Sequence, residues 1–249
     1  MRFLLFVLIM STVTLIKAQD VQYLVKEGEV LEKEMKENEA LQKYLEALKI
    51  APNDVGALVN ASEMYSIIGN REKEKKKKMD YFTAARTYAE SALKADPGSA
   101  DANYVMAMAL GRMALITGGK EKVGYVRDIK KYADEALKIN PNHIQALHIL
   151  GKWNYEVTSL NVAEKAALKV LYGGLPPASM PLAILNFEKS RGLDPWFILN
   201  YLELAKAYKE NGQSDKAIDV LTKMQKLPPK TKDDPIYKAE GKKMLESLL

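Results

Sequence analysis

Apolar and small residues recur along the chain with the spacing of a helix face. Ala40, Tyr44 and Ala47 follow one another at four and three residues, as do Ala85, Ala89 and Ala92, and again Ile129, Ala133 and Ala136. That period puts each trio on one side of an α-helix. The three stretches then run into similar phrases, ALKIAPND at 47–54, ALKADPGS at 92–99 and ALKINPNH at 136–143, with KSRGLDPW at 189–196 as a fourth. Proline cannot continue a helix, so each phrase predicts a helix end followed by a turn. A last proline closes the series in KLPPK at 226–230.

The turn prolines Pro52, Pro97, Pro141, Pro195 and Pro229 are spaced 45, 44, 54 and 34 residues apart. Thirty-four is the tetratricopeptide period, and the longer spacings are that period with inserts. The final unit carries the pattern most fully: Tyr201, Leu204, Ala205 and Tyr208, then Gly212, then Ala217, Leu221, Met224 and Pro229. Small residues at 205 and 217 let paired antiparallel helices approach, large ones fill the gaps, and Gly212 predicts a left-handed cap between them. Leu147, Leu150 and Gly151 after Pro141, with Ala183 and Phe187 before Pro195, repeat the scheme. The predicted fold is all-α, a tetratricopeptide-like solenoid of helical hairpins forming one domain over residues 20–249.

The inserts fall between the first and second helix of a unit, around 70–80, 117–127 and 158–179. The third is rich in Ala, Leu, Lys and Glu over Leu160–Tyr172, which predicts an extra helix broken by Gly173-Gly174-Leu175-Pro176-Pro177. At the carboxyl end, Asp234-Pro235 predicts a helix start, and Ile236–Leu249 a capping helix over the last repeat.

The amino terminus follows a different pattern. Arg2 precedes a 14-residue apolar run, Phe3 to Ile16, and Lys17-Ala18. This is the outline of a secretory signal over residues 1–18, and the run is short against the ~20 residues of a full span. It predicts an exported chain, periplasmic or envelope-associated, with a membrane anchor through residues 3–16 as the alternative.

Charge changes the picture less than the bulk value suggests. The 249 residues carry a net charge of +5 and a pI near 9.0. Arg2 and Lys17 supply two of those charges, and residues 71–78 hold six positive residues against two negative ones. The rest is close to neutral. The basic edge Lys75, Lys76, Lys77 and Lys78 therefore stands alone, a candidate dock for an anionic surface or a solvated helix end. Without interleaved aromatic residues it does not suit single-stranded nucleic acid, and no nucleic-acid partner is expected.

Candidate chemistry is sparse. The absence of cysteine excludes a disulfide scaffold, a cysteine zinc site, a cysteine nucleophile and a diacylglyceryl-cysteine anchor. Gly119 and Gly124 have the spacing of a phosphate loop, but no Lys-Ser or Lys-Thr follows. His143 and His148 are five residues apart, one more than stacked helical ligands need, and His143 follows a turn like a helix-start residue. Trp153 reads as packing, and Trp196 as a staple between repeats. No catalytic residue, cofactor or metal is expected.

Between residues 143 and 229 the motifs narrow. Gly151-Lys-Trp153-Asn-Tyr155-Glu-Val157 is followed by Ser159-Leu160, Glu164-Lys165, Pro176, Ala183, Phe187, Leu193-Asp194-Pro195, and Tyr201, Ala205 and Tyr208. With Glu74-Lys-Lys-Lys77 and Ala92 through Ser99-Ala-Asp-Ala102, this resembles the regulator of microtubule dynamics family over most of residues 28–245. The chain departs from the family at Lys152, usually Arg, at Asn154, often Cys, and at its signal-like start. The resemblance implies an all-helical adaptor whose animal members associate with microtubules, mitochondria or membranes, often through amino-terminal anchors. The signal-like start instead suggests a bacterial envelope relative.

Such solenoids bind along the concave face lined by first helices. Counting from the turn prolines, that face holds Asp101, Tyr104, Met108 and Arg112; Gln145, His148, Lys152 and Tyr155; and Leu199, Leu202, Lys206 and Lys209. The mixture of aromatic, aliphatic and cationic groups predicts a protein or peptide partner with acidic residues. An amphiphile with an anionic head is the alternative, with the 158–179 insert closing the groove over it.

Overall fold

The computed structural model describes residues 19–249, so the signal or anchor predicted at 1–18 lies outside the described residues. Those residues form twelve helices and divide between Gly98 and Ser99 into two compact units.

The first unit holds α1 (residues 19–33), α2 (Glu37–Ile50), α3 (Val55–Arg71) and α4 (Lys75–Ala95). Its core gathers Ala40, Leu41, Tyr44, Ala61, Met64 and Ile68. The trio read from the pattern as one face of α2, residues 40, 44 and 47, is fully buried. Ala85, Ala89 and Ala92 are buried along α4, and α3 comes close enough there for the Ser62 hydroxyl to donate to the Ala85 carbonyl at 2.8 Å.

The second unit holds three hairpins: α5 (Ala100–Ala114) with α6 (Gly119–Ile139), α7 (Ile144–Ser159) with α9 (Met180–Leu193), and α10 (Ile198–Glu210) with α11 (Ser214–Lys226). Helix α8 (Val162–Tyr172) stands between α7 and α9 in the chain, and α12 (Asp234–Glu246) packs on α10 and α11 as the expected cap. Ala205, Ala217, Leu221 and Met224 are fully buried, as the period of the final unit requires.

The turns repeat a local device. The residue before proline, Asp96, Asn140 or Asp194, accepts from the backbone N–H two residues on at 2.9–3.0 Å. Its own N–H closes the preceding helix on the carbonyl of Ala92, Ala136 or Ser190. Asp54, Ser99 and His143 then cap the next helix through their side chains. Gly212 adopts φ 71° after α10, the left-handed conformation expected of it.

The three inserts take two forms. Those near 70–80 and 117–127 are chiefly added turns of helix: α4 and α6 each run 21 residues, against 13 for α11. The third is the separate helix α8, followed by the Gly-Gly-Leu-Pro-Pro break.

Candidate functional site

The first helices of the second unit, α5, α7 and α10, lie side by side. Their shared face is organised by a residue that side-chain counting missed. Glu203 is 4 % exposed, and its carboxylate accepts from Lys152 Nζ at 2.6 Å and Lys206 Nζ at 2.9 Å. Lys152 also meets Glu156 at 2.7 Å, and Lys206 meets Glu240 of α12 at 2.8 Å. Burial acts to raise the Glu203 pKa, but the two ammonium groups outweigh it and hold the carboxyl below its ordinary range. The same pairing keeps Lys152 and Lys206 charged despite their burial.

These contacts correct the expected cationic groove. Two lysines share three carboxylates, so this chain of ion pairs carries no surplus positive charge. Arg112, on α5, is partly buried; burial lowers its pKa against the favourable influence of Tyr237, Tyr104 and Asp233. His148 is a further departure. Its Nδ1 donates to Asn200 Oδ1 at 3.0 Å, and Asn200 Nδ2 in turn donates to the Phe187 carbonyl at 2.9 Å. With Phe187 and Phe197 against the ring, burial lowers its pKa and the imidazole stays neutral.

Leu202, expected to line the groove, is 1 % exposed and belongs to the core. The cluster that holds it is packed by Tyr155 of α7 and by Tyr237, Met244 and Leu245 of the α12 end of the chain. Tyr104 is also buried; its ring lies against His143 and its hydroxyl donates to Met108 Sδ at 3.3 Å. Met108 and Tyr155 are partly exposed, and Lys209 is exposed. Lys152 Nζ sits 5.4 Å from the Tyr155 ring centre.

His143 is a helix-start residue, as its place in the turn predicted. Nδ1 accepts from the Ala146 N–H at 3.2 Å, which leaves the proton on Nε2 to donate to Asp101 Oδ1 at 3.0 Å. Trp153 is packed as expected, its indole donating to the Val126 carbonyl at 2.7 Å. Trp196, read as a staple, is half-exposed, and Lys230 Nζ, from the segment after α11, sits 4.8 Å from its ring centre.

In the first unit, Lys75–Lys78 form the first turn of α4. Lys75, Lys76 and Lys77 are exposed and Lys78 is partly covered. Lys77 pairs with Glu74 at 3.3 Å, and no acidic residue occupies the turn itself.

Helix α8 lies against α6 and buries none of its own residues.

The model of the family described as regulator of microtubule dynamics protein 1-3 matches residues 24–249. Regulator of microtubule dynamics protein 2 of Rattus norvegicus is 27 % identical over 187 residues, covering 75 % of this chain and 44 % of the relative. Regulator of microtubule dynamics protein 3 of the same species is 25 % identical over 225 residues, covering 89 % and 48 %. The chain thus spans less than half the length of these relatives. Among solved structures, a thermophilic TPR protein of Thermus thermophilus superposes with a TM-score of 0.66 at 17 % identity, covering 89 % of this chain and 98 % of that one. PilF of Pseudomonas aeruginosa gives 0.57 at 12 % identity, covering 93 % and 90 %. These structural likenesses are of fold: helical hairpins of the tetratricopeptide kind.

Proposed function

Because the chain belongs to the regulator of microtubule dynamics family, we propose that it is a non-enzymatic helical-repeat adaptor whose first-helix face on α5, α7 and α10 receives a protein partner. The observation that supports this reading is the run of ion pairs centred on Glu203. A carboxylate buried between lysines from two helices fixes the side chains of that face before any partner arrives, and preorganised side chains lose less freedom on binding. Around this fixed centre Met108, Tyr155 and Lys209 keep surface available for contact.

The partner is an extended or helical protein segment with both apolar and polar groups, matching a face of mixed character. The acidic preference expected from unpaired lysines loses its basis, since Lys152 and Lys206 already hold carboxylates. Whether the partner belongs to the microtubule system is a matter for the same experiment.

The test uses residues outside the ion pairs. Charge reversal at Lys152 and Lys206 would crowd carboxylates around Glu203 and disturb the fold, so its effect on binding has no clear meaning. Tyr155→Ala/Lys209→Glu should lose a protein captured by the wild-type chain from cells of its own source, while Lys138→Glu, at the far end of α6, should retain it. Equal retention by both variants would move the binding site elsewhere.

A further inference from the structure

Helix α8 shows a face for which the fold has no use. Val162, Ala163, Ala166, Ala167, Val170 and Leu171 share one side of it by helical spacing, and all six are exposed. Val162 is 85 % exposed, Val170 83 % and Leu171 67 %. Helices usually gain stability by burying their apolar stripe, and α8 buries no residue.

Polar ties hold it instead. Asn161 and Glu164 form a reciprocal capping box at 2.8 Å in each direction. Lys165 Nζ donates to the Thr158 carbonyl at 2.8 Å. At the other end Arg127 of α6 donates through Nη2 to the Tyr172 carbonyl, and through Nη2 and Nε to the Gly174 carbonyl at 2.7 and 3.1 Å. Gly173 caps the helix at φ 76°. The apolar stripe is therefore presented outward on a helix fixed at both ends.

Charge and size indicate what covers it. Lys165 and Lys169 border the stripe on one side by helical spacing. The neighbouring stretch of α6, residues 120–131, carries Lys120, Lys122, Arg127, Lys130 and Lys131 against Glu121 and Asp128. An 11-residue helix is about 16 Å long. That is too short to cross a hydrocarbon core of about 30 Å, and one face of it is too small for the ~800 Å² per partner that a stable protein interface buries. Those dimensions suit a helix lying in the plane of a membrane surface, with its apolar side among the acyl chains and its lysines at the headgroups.

We propose that α8 is a membrane-surface helix which docks this chain on anionic lipid. It gives the chain a second contact surface, independent of the first-helix face and of residues 1–18.

The absence of cysteine in the chain makes the test direct. Val170→Cys in the full chain, labelled with a polarity-sensitive fluorophore, is mixed with phosphatidylcholine vesicles with or without phosphatidylserine. The expected result is a blue shift on the phosphatidylserine vesicles, while the same label at Lys138→Cys stays in water. Lys169→Glu, which leaves the tie from Lys165 to Thr158 in place, should weaken the partition by roughly tenfold. Val162→Glu/Leu171→Glu should abolish the shift with helix content and Tm unchanged, because both side chains are exposed. Vesicle flotation without a shift at 170 would overturn the proposal, assigning attachment to another segment. An equal shift on pure phosphatidylcholine would overturn its anionic specificity. A shift that needs no vesicles and grows with protein concentration would assign the stripe to a second copy of the chain.

Discussion

Lys152 of α7 places its ammonium 2.6 Å from the carboxylate of Glu203, 51 positions away on α10. This contact joins two consecutive hairpins of the second unit on the face where a partner is proposed to bind. It also determines the electrostatics of that face, because the cation is consumed within the fold. A lysine read from sequence as a ligand for something acidic has its acid already.

Removing one member of this pair leaves a buried carboxylate short of donors. Lys152→Met should lower the unfolding free energy by about 2 kcal/mol, less than for an isolated buried pair because Lys206 still serves Glu203. The pH dependence has a definite sign. The Glu203 carboxyl is held below its ordinary range in the folded chain, so its contribution is complete above the unfolded value and disappears as pH falls through the folded one. Urea unfolding from pH 6 down to 3 should show the wild type losing stability more steeply than Glu203→Gln. Parallel curves would mean that the pairing stores no such energy.

A second carboxyl acts in the opposite direction. Glu32 of α1 accepts from the Tyr44 hydroxyl of α2, and burial, aided by Glu63, Glu29 and Glu37, raises its pKa to about 7 despite that bond. A raised carboxyl favours the folded state while protonated, so stability is full below the unfolded value near 4.5 and declines as pH rises toward 7. Glu32→Gln keeps an acceptor for Tyr44 and removes the charge. It should leave stability at pH 4 almost unchanged and raise it at pH 8 by about 3 kcal/mol. Thermal melts at the two values would measure this, and a loss at pH 8 would contradict it.

The contrast between these two sites and the fold explains what the sequence could convey. Turn prolines, the small residues at 47, 92, 136, 205 and 217, and Gly212 act on their own helix or the next one, so short-range spacing exposes them. The extra helix α8 is legible for the same reason. Glu203 has no comparable local mark. It stands between Leu202 and Leu204 like any solvated carboxylate, and its burial depends on Lys152 and on the helices that cover α10. The same covering takes Leu202 out of the groove. Counting from Pro195 identifies a helix face, but packing against α7, α9 and α12, distant in sequence, decides which of its residues stay exposed.

Gly151 tests the close approach behind the repeat signature. A Cβ added there would fall 2.7 Å from two ring atoms of Phe187, whose side chain is fully buried on α9. Alanine normally improves a helix by up to ~1 kcal/mol over glycine. Here the overpacking should dominate, and Gly151→Ala should destabilise the chain by about 1–2 kcal/mol. Adding Phe187→Leu, which removes the obstructing ring atoms, should make the alanine less costly than it is in the wild-type background. A double-mutant cycle by urea unfolding reads this directly, and simple additivity would refute the steric account.

The lysines of α4 permit a test in the other direction. Lys75 and Lys76 are exposed in the first turn of a 21-residue helix, where the partial positive charge of the backbone dipole disfavours cations. Neither lysine occurs in the ion pair that joins Lys77 to Glu74. Lys75→Glu/Lys76→Glu should therefore raise Tm slightly at low ionic strength, and the gain should shrink as salt screens it. If the basic edge also serves as a dock, the same variant will lose adhesion to an anionic surface while gaining stability. That opposed pair of effects distinguishes a run kept for contact from one that merely solvates a helix end: equal adhesion before and after charge reversal would leave the lysines only the second role.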